Sequence, residues 1–330
     1  MSGPAPVLAL DLGASRIRAA VVRPDGTLAT RADGRTRAGD GPDAVTGDAI
    51  ALLTRVRDQA PDEVRSSIAA VGISAIGPLD LARGRIRRPP NMPASFADVP
   101  FGEPIGAALD LPWAIDRDTH VAVLGELAFG AARGVRELLY LTVSTGIGGA
   151  IVSDGRLVAG ADGVGGELGH ISLELDGPMC GCGARGHLEA ISSGSGIARA
   201  AREAVDAGRA PGLRALRDRV ARDGLTARDV AAAEDAGDPD AAAIMERARH
   251  AFAEAVVSLV DLFNPELIVV GGSLGRAQGE RWLGPARAAV HQRSFGIPAA
   301  RVRIVEAALG DDVGLVGAIP LVAGRLAPSG

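Results

Sequence analysis

The chain carries two cysteines in 330 residues, Cys180 and Cys182. Both lie in GHISLELDGPMCGCGARGHLEA, residues 169 to 190, between His170 and His187. A disulfide between two residues so close would close a tiny strained ring. The N-terminal MSGPAPVLALDLG also lacks the basic start, apolar run and small-residue cleavage site of a secreted chain. Two readings stay open from the chemistry of the residues. Free cysteine is usually a small buried hydrophobe, although glycines flanking both of these do not look like core packing. Alternatively, His170, Cys180, Cys182 and His187 supply two imidazoles and two thiolates, the tetrahedral donor set of a closed structural zinc site, at a spacing unlike that of common zinc fingers.

The remaining chemistry must work without lysine, since all 35 basic side chains are arginine. That excludes a Walker-type phosphate lysine and Schiff-base catalysis, and leaves backbone amides, hydroxyls, arginine or a metal ion to handle phosphate. The arginines are scattered and the net charge is −5, so an electrostatic grip on nucleic acid is not expected. No run of about 18 apolar residues marks a membrane span. The length predicts two domains. With 47% hydrophobic but only 3% aromatic residues, the cores of a soluble globular protein must be filled by Ala, Val, Leu and Ile.

The elements that would position these groups follow from periodicity. VLALDLGASRIRAAVVRPDGTLATR, from residue 7, reads as a buried strand, a small-residue turn, a second strand, a PDG turn and a third strand. LLYLTVSTGIGGAIVSDGRLVAG, from residue 138, repeats the device. Each loop would let backbone N–H groups approach phosphate oxygens, with Ser15 and Thr145 adding hydroxyls. Between and after them, GPDAVTGDAIALLTRVRDQ, EPIGAALD and DTHVAVLGELAFGAAR read as helices, SIAAVGISAIG and LPWAIDRD as strands, and DLARGRI as a short hairpin. Helices dominate from 189 to about 263, then ELIVVGGSLG gives a buried strand and DDVGLVGAIPLVAGRL a C-terminal helix. Alternating strands and helices place the chain in the α/β class.

Four stretches together resemble the ROK group of sugar kinases and sugar-responsive repressors, within the actin-like ATPase superfamily. They are DLGAS at 11 to 15, STGIGG at 144 to 149, GELGH at 166 to 170 and CGCGARGHLE at 180 to 189. The resemblance implies two actin-like (RNase H-like) α/β domains flanking a catalytic cleft, with a zinc-bound loop. Residues 1–117 plus 312–330 would form the smaller domain, and 118–311 the larger, with the zinc loop and a helical insert. It implies ATP-dependent phosphorylation of a hexose, glucose at its 6-OH foremost, with Asp118 as the general base. N-acetylmannosamine, N-acetylglucosamine and fructose are alternative acceptors, and a non-catalytic sugar-binding regulator is the alternative class. Repressor members carry an additional N-terminal DNA-binding region, for which the first loop leaves no room here.

Residue by residue, the resemblance gives the sugar to Asn91, Asp118, Glu167, His170 and Glu189. It gives the ATP phosphates to Gly13, Ser15, Thr145 and Gly146, the nucleoside to Gly271 and Gly272, and hydrated Mg²⁺ to Asp11. His170, Cys180, Cys182 and His187 would hold structural Zn²⁺, with His187 standing where the family usually has a third cysteine. A cytoplasmic homodimer is the family expectation. Two departures bear on activity. Ala14 stands where kinases usually have a second glycine, and would crowd the phosphates or cost ~1 kcal/mol if the position needed a positive φ. Arg117 and His120 replace asparagines around Asp118; Arg117 would either pair with Asp116 or favour a substrate with an acyl or anionic group.

Overall fold

The computed structural model describes residues 5–89, 92–218 and 224–326. The chain divides into two compact units, residues 1–134, 157–165 and 307–330 forming the first, and 135–156 and 166–306 the second.

In the first unit, β1 (Val7–Leu12), β2 (Arg16–Val22), β3 (Leu28–Arg35), β4 (Ala70–Ala75) and β8 (Trp113–Arg117) form a sheet of order β3-β2-β1-β4-β8. A separate small sheet contains β5 (Leu79–Asp80), β6 (Arg85–Ile86) and β7 (Val99–Pro100). The hairpin strands β1 and β2 are antiparallel, while β1, β4 and β8 run parallel. The period of two explains why both sheet faces are covered. Leu8, Leu10 and Leu12 meet Val45, Ala49, Leu53 and Val56 of the helix Pro42–Asp58. Val7 and Ala9, pointing the other way, meet Leu315 and Ala318 near the C-terminus.

The second unit repeats this order. Strands β9 (Leu138–Val143), β10 (Ile147–Ser153), β11 (Arg156–Leu157), β12 (Leu267–Gly271) and β13 (Arg303–Glu306) are arranged β11-β10-β9-β12-β13. Its core joins Leu139, Leu141 and Val143 to the helix Pro239–Phe263. That helix starts where Asp238 accepts from the Asp240 and Ala241 N–H groups and ends at Asn264 in the left-handed conformation. Buried Ala241, Met245, Ala248, Phe252, Val256 and Leu259 keep a helical stripe inward. The α/β class and the duplicated hairpin are as read from the sequence.

The structure departs from that reading in three places. The C-terminal helix is two, Val313–Val316 and Ala318–Leu326. They break at Gly317, where a Cβ would collide with the Val121 carbonyl. The helix Asp118–Phe129, assigned from the sequence to the second domain, lies in the first unit, where Val121 packs with Ala114 and Leu321. Strand β13 and the helices Ser273–Gln278, Glu280–Arg293 and Gly296–Arg301 were not read at all. Among the described residues no helix is long and apolar enough to cross a membrane.

Candidate active site

Asp11 points from β1 into the first unit and is only 6% exposed. Its cross-strand neighbours in register are Arg18 on β2 and Ser74 on β4. Both reach it, Arg18 Nη2 lying 2.6 Å from Oδ2 and Ser74 Oγ donating to Oδ1 over 2.8 Å. The first loop is closed by Gly13 N–H donating to Arg16 O, by Thr36 Oγ1 donating to Gly13 O, and by Thr36 N–H donating to Ser15 O. Ala14 is not among the described non-glycine residues with positive φ and packs on the first core, so the strain its identity threatened does not arise. Ser15 is exposed at the lip of a recess of about 660 Å³ that Arg16, Arg35 and Thr36 also line.

The second loop joins β9 to β10, with Thr145 exposed and Gly146 beside Glu189. Ser144 Oγ lies 2.9 Å from Ser273 Oγ, which ties this loop to the end of β12. There Gly271 pairs in register with Thr142, and Gly272 turns the chain at φ 88° against the Val143 carbonyl. A side chain at 272 would meet both a forbidden φ and a backbone atom. Gly271, Gly272, Thr145 and Gly146 are thus gathered at one end of the second sheet.

Asp118 is the first residue of the helix Asp118–Phe129 and is exposed, with Oδ1 accepting the Thr119 N–H over 2.8 Å. The junction beneath it is cross-linked by hydrogen bonds. Asp116 Oδ1 accepts the Arg117 N–H and meets His120 Nδ1, each at 2.8 Å, and Oδ2 meets Arg325 Nη2 at 2.8 Å. Asp116 and His120 are each 1% exposed, and His120 Nε2 is buried without a hydrogen-bond partner. Burial pushes the Asp116 carboxyl up, but His120, Arg325 and the Arg117 N–H overcome it and hold the group below its ordinary 3.8. The Arg117 guanidinium donates to the carbonyls of Gly165, over 3.1 Å, and Gly163, over 3.4 Å. This network was legible only in part: the i, i+4 spacing of Asp116 and His120 on the strand-to-helix turn was a signal, whereas Arg325 and Arg18 required the tertiary structure.

In the second unit His170, Cys180, Cys182 and His187 come together, with one ligand atom from each lying within 4.8 Å of all the others. His170 Nδ1 is 3.2 Å from His187 Nδ1 and 3.7 Å from Cys180 Sγ, and Cys182 Sγ is 3.3 Å from His187 Nδ1. Zinc bonds of about 2.05 Å to nitrogen and 2.3 Å to sulfur give tetrahedral edges of about 3.3 Å between nitrogens and 3.6 Å between nitrogen and sulfur. The donor set fits zinc in kind and spacing. Burial pushes the Cys180 thiol up to about 11, so a metal would have to displace its proton. His170 turns Nε2 toward Glu167, 3.9 Å from Oε2, leaving Nδ1 for the cluster. Glu189 follows His187 by two residues and faces Cys180 Sγ with Oε1, 3.5 Å away. Asn91 lies outside the described residues.

The two small-residue loops, the GELGH stretch and the cysteine loop were the stretches that carried the resemblance. The family profile described as ROK matches residues 7–325. The chain belongs to the ROK family. A glucokinase of Thermotoga maritima is 32% identical over 322 residues, covering 97% of this chain and 98% of its own length. An N-acetylmannosamine kinase of Escherichia coli O157:H7 is 30% identical over 324 residues, 96% of this chain and 98% of its own. The crystal structure of a ROK family glucokinase from Streptomyces griseus in complex with glucose and AMPPNP superposes with a TM-score of 0.79 at 28% identity, covering 96% of this chain and 98% of that one.

Proposed function

We propose that this ROK-family sugar kinase transfers the γ-phosphoryl group of ATP to the 6-OH of glucose, with Asp118 as general base. Asp118 carries the proposal: an exposed carboxylate oriented by the Thr119 N–H, on a helix whose start is fixed by the buried Asp116–His120 pair. A sugar hydroxyl is a weak nucleophile until it loses its proton. The carboxylate accepts that proton as the oxygen–phosphorus bond forms and the bond to ADP breaks. On the donor side, Gly13, Ser15, Thr145 and Gly146 serve the phosphates, and Gly271 and Gly272 lie under the nucleoside.

Asp11 is the residue nearest in role to Mg²⁺. Its carboxylate is already shared by Arg18 and Ser74, and among the described residues only the Cys/His cluster gathers three or more metal-binding groups. The magnesium would therefore arrive with the nucleotide, Asp11 orienting its hydration shell. Glu167, His170, Glu189 and Asn91 take the sugar hydroxyls, and zinc on His170, Cys180, Cys182 and His187 fixes the loop that presents the first three.

Glucose is supported by the Thermotoga glucokinase and by the Streptomyces structure with glucose. N-acetylmannosamine is the second reading, favoured by the Escherichia relative. Arg117 sets its guanidinium on two backbone carbonyls and acts as a strut there. A cytoplasmic homodimer completes the proposal, supported by exposed Leu262, Phe263, Phe295 and Ile297, with sedimentation as its measurement. The deciding experiment follows ADP release from Mg²⁺-ATP with glucose, fructose, N-acetylmannosamine and N-acetylglucosamine, beside Asp118→Asn. Glucose should give the strongest signal and the variant none while still binding sugar. Turnover in the variant would remove Asp118 as base, and silence in the wild type with sugar bound would make the chain a sugar-binding regulator.

A further inference from the structure

The resemblance assigns Glu189 to the sugar, but in this structure one of its oxygens is directed elsewhere. Glu189 Oε2 accepts the Ile147 N–H over 2.9 Å, at the point where the second phosphate loop enters β10. A Cβ at Gly146 would stand 2.5 Å from that oxygen, so the loop and the carboxylate are fitted to each other. The same short helix, Leu188–Ser192, leads into residues that bind the loop from behind. Gly194 N–H donates to Ser144 O over 2.8 Å, and Ser195 N–H to Thr145 O over 3.0 Å. With its carbonyls held there, the loop's Thr145 and Gly146 N–H groups donate to no backbone carbonyl among the described residues. That is the arrangement an anionic ligand requires. At its other end the helix is continuous with the Cys/His cluster: His187 is its N-cap, and Glu189 Oε1 lies 3.5 Å from Cys180 Sγ.

We infer that Glu189 is a positioning residue for the nucleotide, and that through it the Cys/His metal loop sets the geometry of the second phosphate loop. The inference rests on the reading of residues 144–147 as a phosphate loop. A metal on the cluster would fix His187, hence the start of the helix and the reach of Glu189 to Ile147 N, and would free Oε1 from the Cys180 thiol. Loss of the metal would then weaken nucleotide binding as well as sugar binding.

Calorimetric titration of Mg²⁺-ADP without sugar tests this in the wild type, Glu189→Ala, Glu189→Gln and Gly146→Ala, as isolated and after chelation, with zinc measured in each. Glu189→Ala should weaken ADP at least tenfold with its zinc retained. Glu189→Gln should stay within about threefold, because its amide oxygen still accepts the Ile147 N–H. Gly146→Ala, which leaves the metal loop untouched and pushes the carboxylate from the other side, should resemble Glu189→Ala. Chelation should weaken ADP in the wild type but add little to Glu189→Ala, since the two act along one route. Equal ADP affinity in the wild type and Glu189→Ala overturns the inference alone. A chain isolated without metal, or an additive effect of chelation, overturns its metal half. A wild type that binds no ADP overturns the phosphate-loop reading, and this inference with it.

Discussion

The buried pair below the helix Asp118–Phe129 offers the most quantitative test of the fold. His120→Leu removes the imidazole that meets Asp116 Oδ1 at 2.8 Å. Asp116 then keeps the Arg117 N–H and the Arg325 guanidinium, whose side chain is 47% exposed and correspondingly screened. Breaking a buried pair by deleting one partner costs about 3–5 kcal/mol. The same substitution also deletes His120 Nε2, which is buried and unpartnered, and this returns about 1–3 kcal/mol. The net loss is therefore roughly 2 kcal/mol, about a 30-fold rise in the opening equilibrium at neutral pH. Amide hydrogen exchange reads it directly: peptides covering 113–129 should exchange about 30-fold faster, while those of the helix Pro239–Phe263 in the other unit stay unchanged. The pH dependence has a fixed sign. Asp116 sits below its ordinary 3.8 in the folded chain, so its contribution is complete above that value and is lost as pH falls through the lower folded one. In His120→Leu the folded carboxyl moves up toward its ordinary value, so this acid-dependent loss should shrink. Unchanged exchange over 113–129, or equal acceleration in both units, would refute this account of the junction.

Three further outcomes are expected. Elemental analysis should find about one zinc per chain, lost in Cys182→Ser; the cysteine loop is held by isolated bridges such as Ser172–His187 and Met179–Arg185 and by short-range turns rather than by a regular helix or sheet, so chelation should speed its hydrogen exchange. Glu126, fully buried, accepts N–H groups from Ala131, Ala308 and Leu309, and Glu126→Ala should cost about 3 kcal/mol, lowering Tm by roughly 6–12 °C, with Glu126→Gln milder in the same melting assay. Gly272→Ala forces a Cβ onto the Val143 carbonyl at φ 88°, and should weaken ADP about tenfold or more in calorimetry while leaving sugar affinity intact.

Local patterns carried far into this structure, and failed where function depends on register or on distant chain. The duplicated hairpin was legible because alternating apolar residues and the two DG turns are signals within a few residues. The Cys/His cluster was legible because Cys180, Cys182 and His187 fall within eight residues of sequence. The break at Gly317 was not, since only the approach of Val121 demands a glycine there. Nor were the partners of Asp11 and Asp116, because Arg18, Ser74 and Arg325 arrive through strand pairing and a C-terminal helix. The backbone strain that Ala14 threatened is absent, because its φ is ordinary in this loop.

The two copies of the hairpin also solve the same problem differently. In the first, the charge beside the loop is built into the sheet: Asp11 on β1 faces Arg18 across β2 and Ser74 across β4. In the second, the pair next to the loop entrance is Thr142 and Gly148, which offers no charge and no side chain on the β10 side. The missing support comes from outside the sheet, as the Glu189 carboxylate on Ile147 N–H. A sheet-borne ion pair forms whenever the strands form, whereas a carboxylate on a short helix beyond the cysteine loop depends on whatever orders that loop. Metal loss should accordingly leave the first hairpin loop in place and loosen the second at Ile147, where Glu189 holds it.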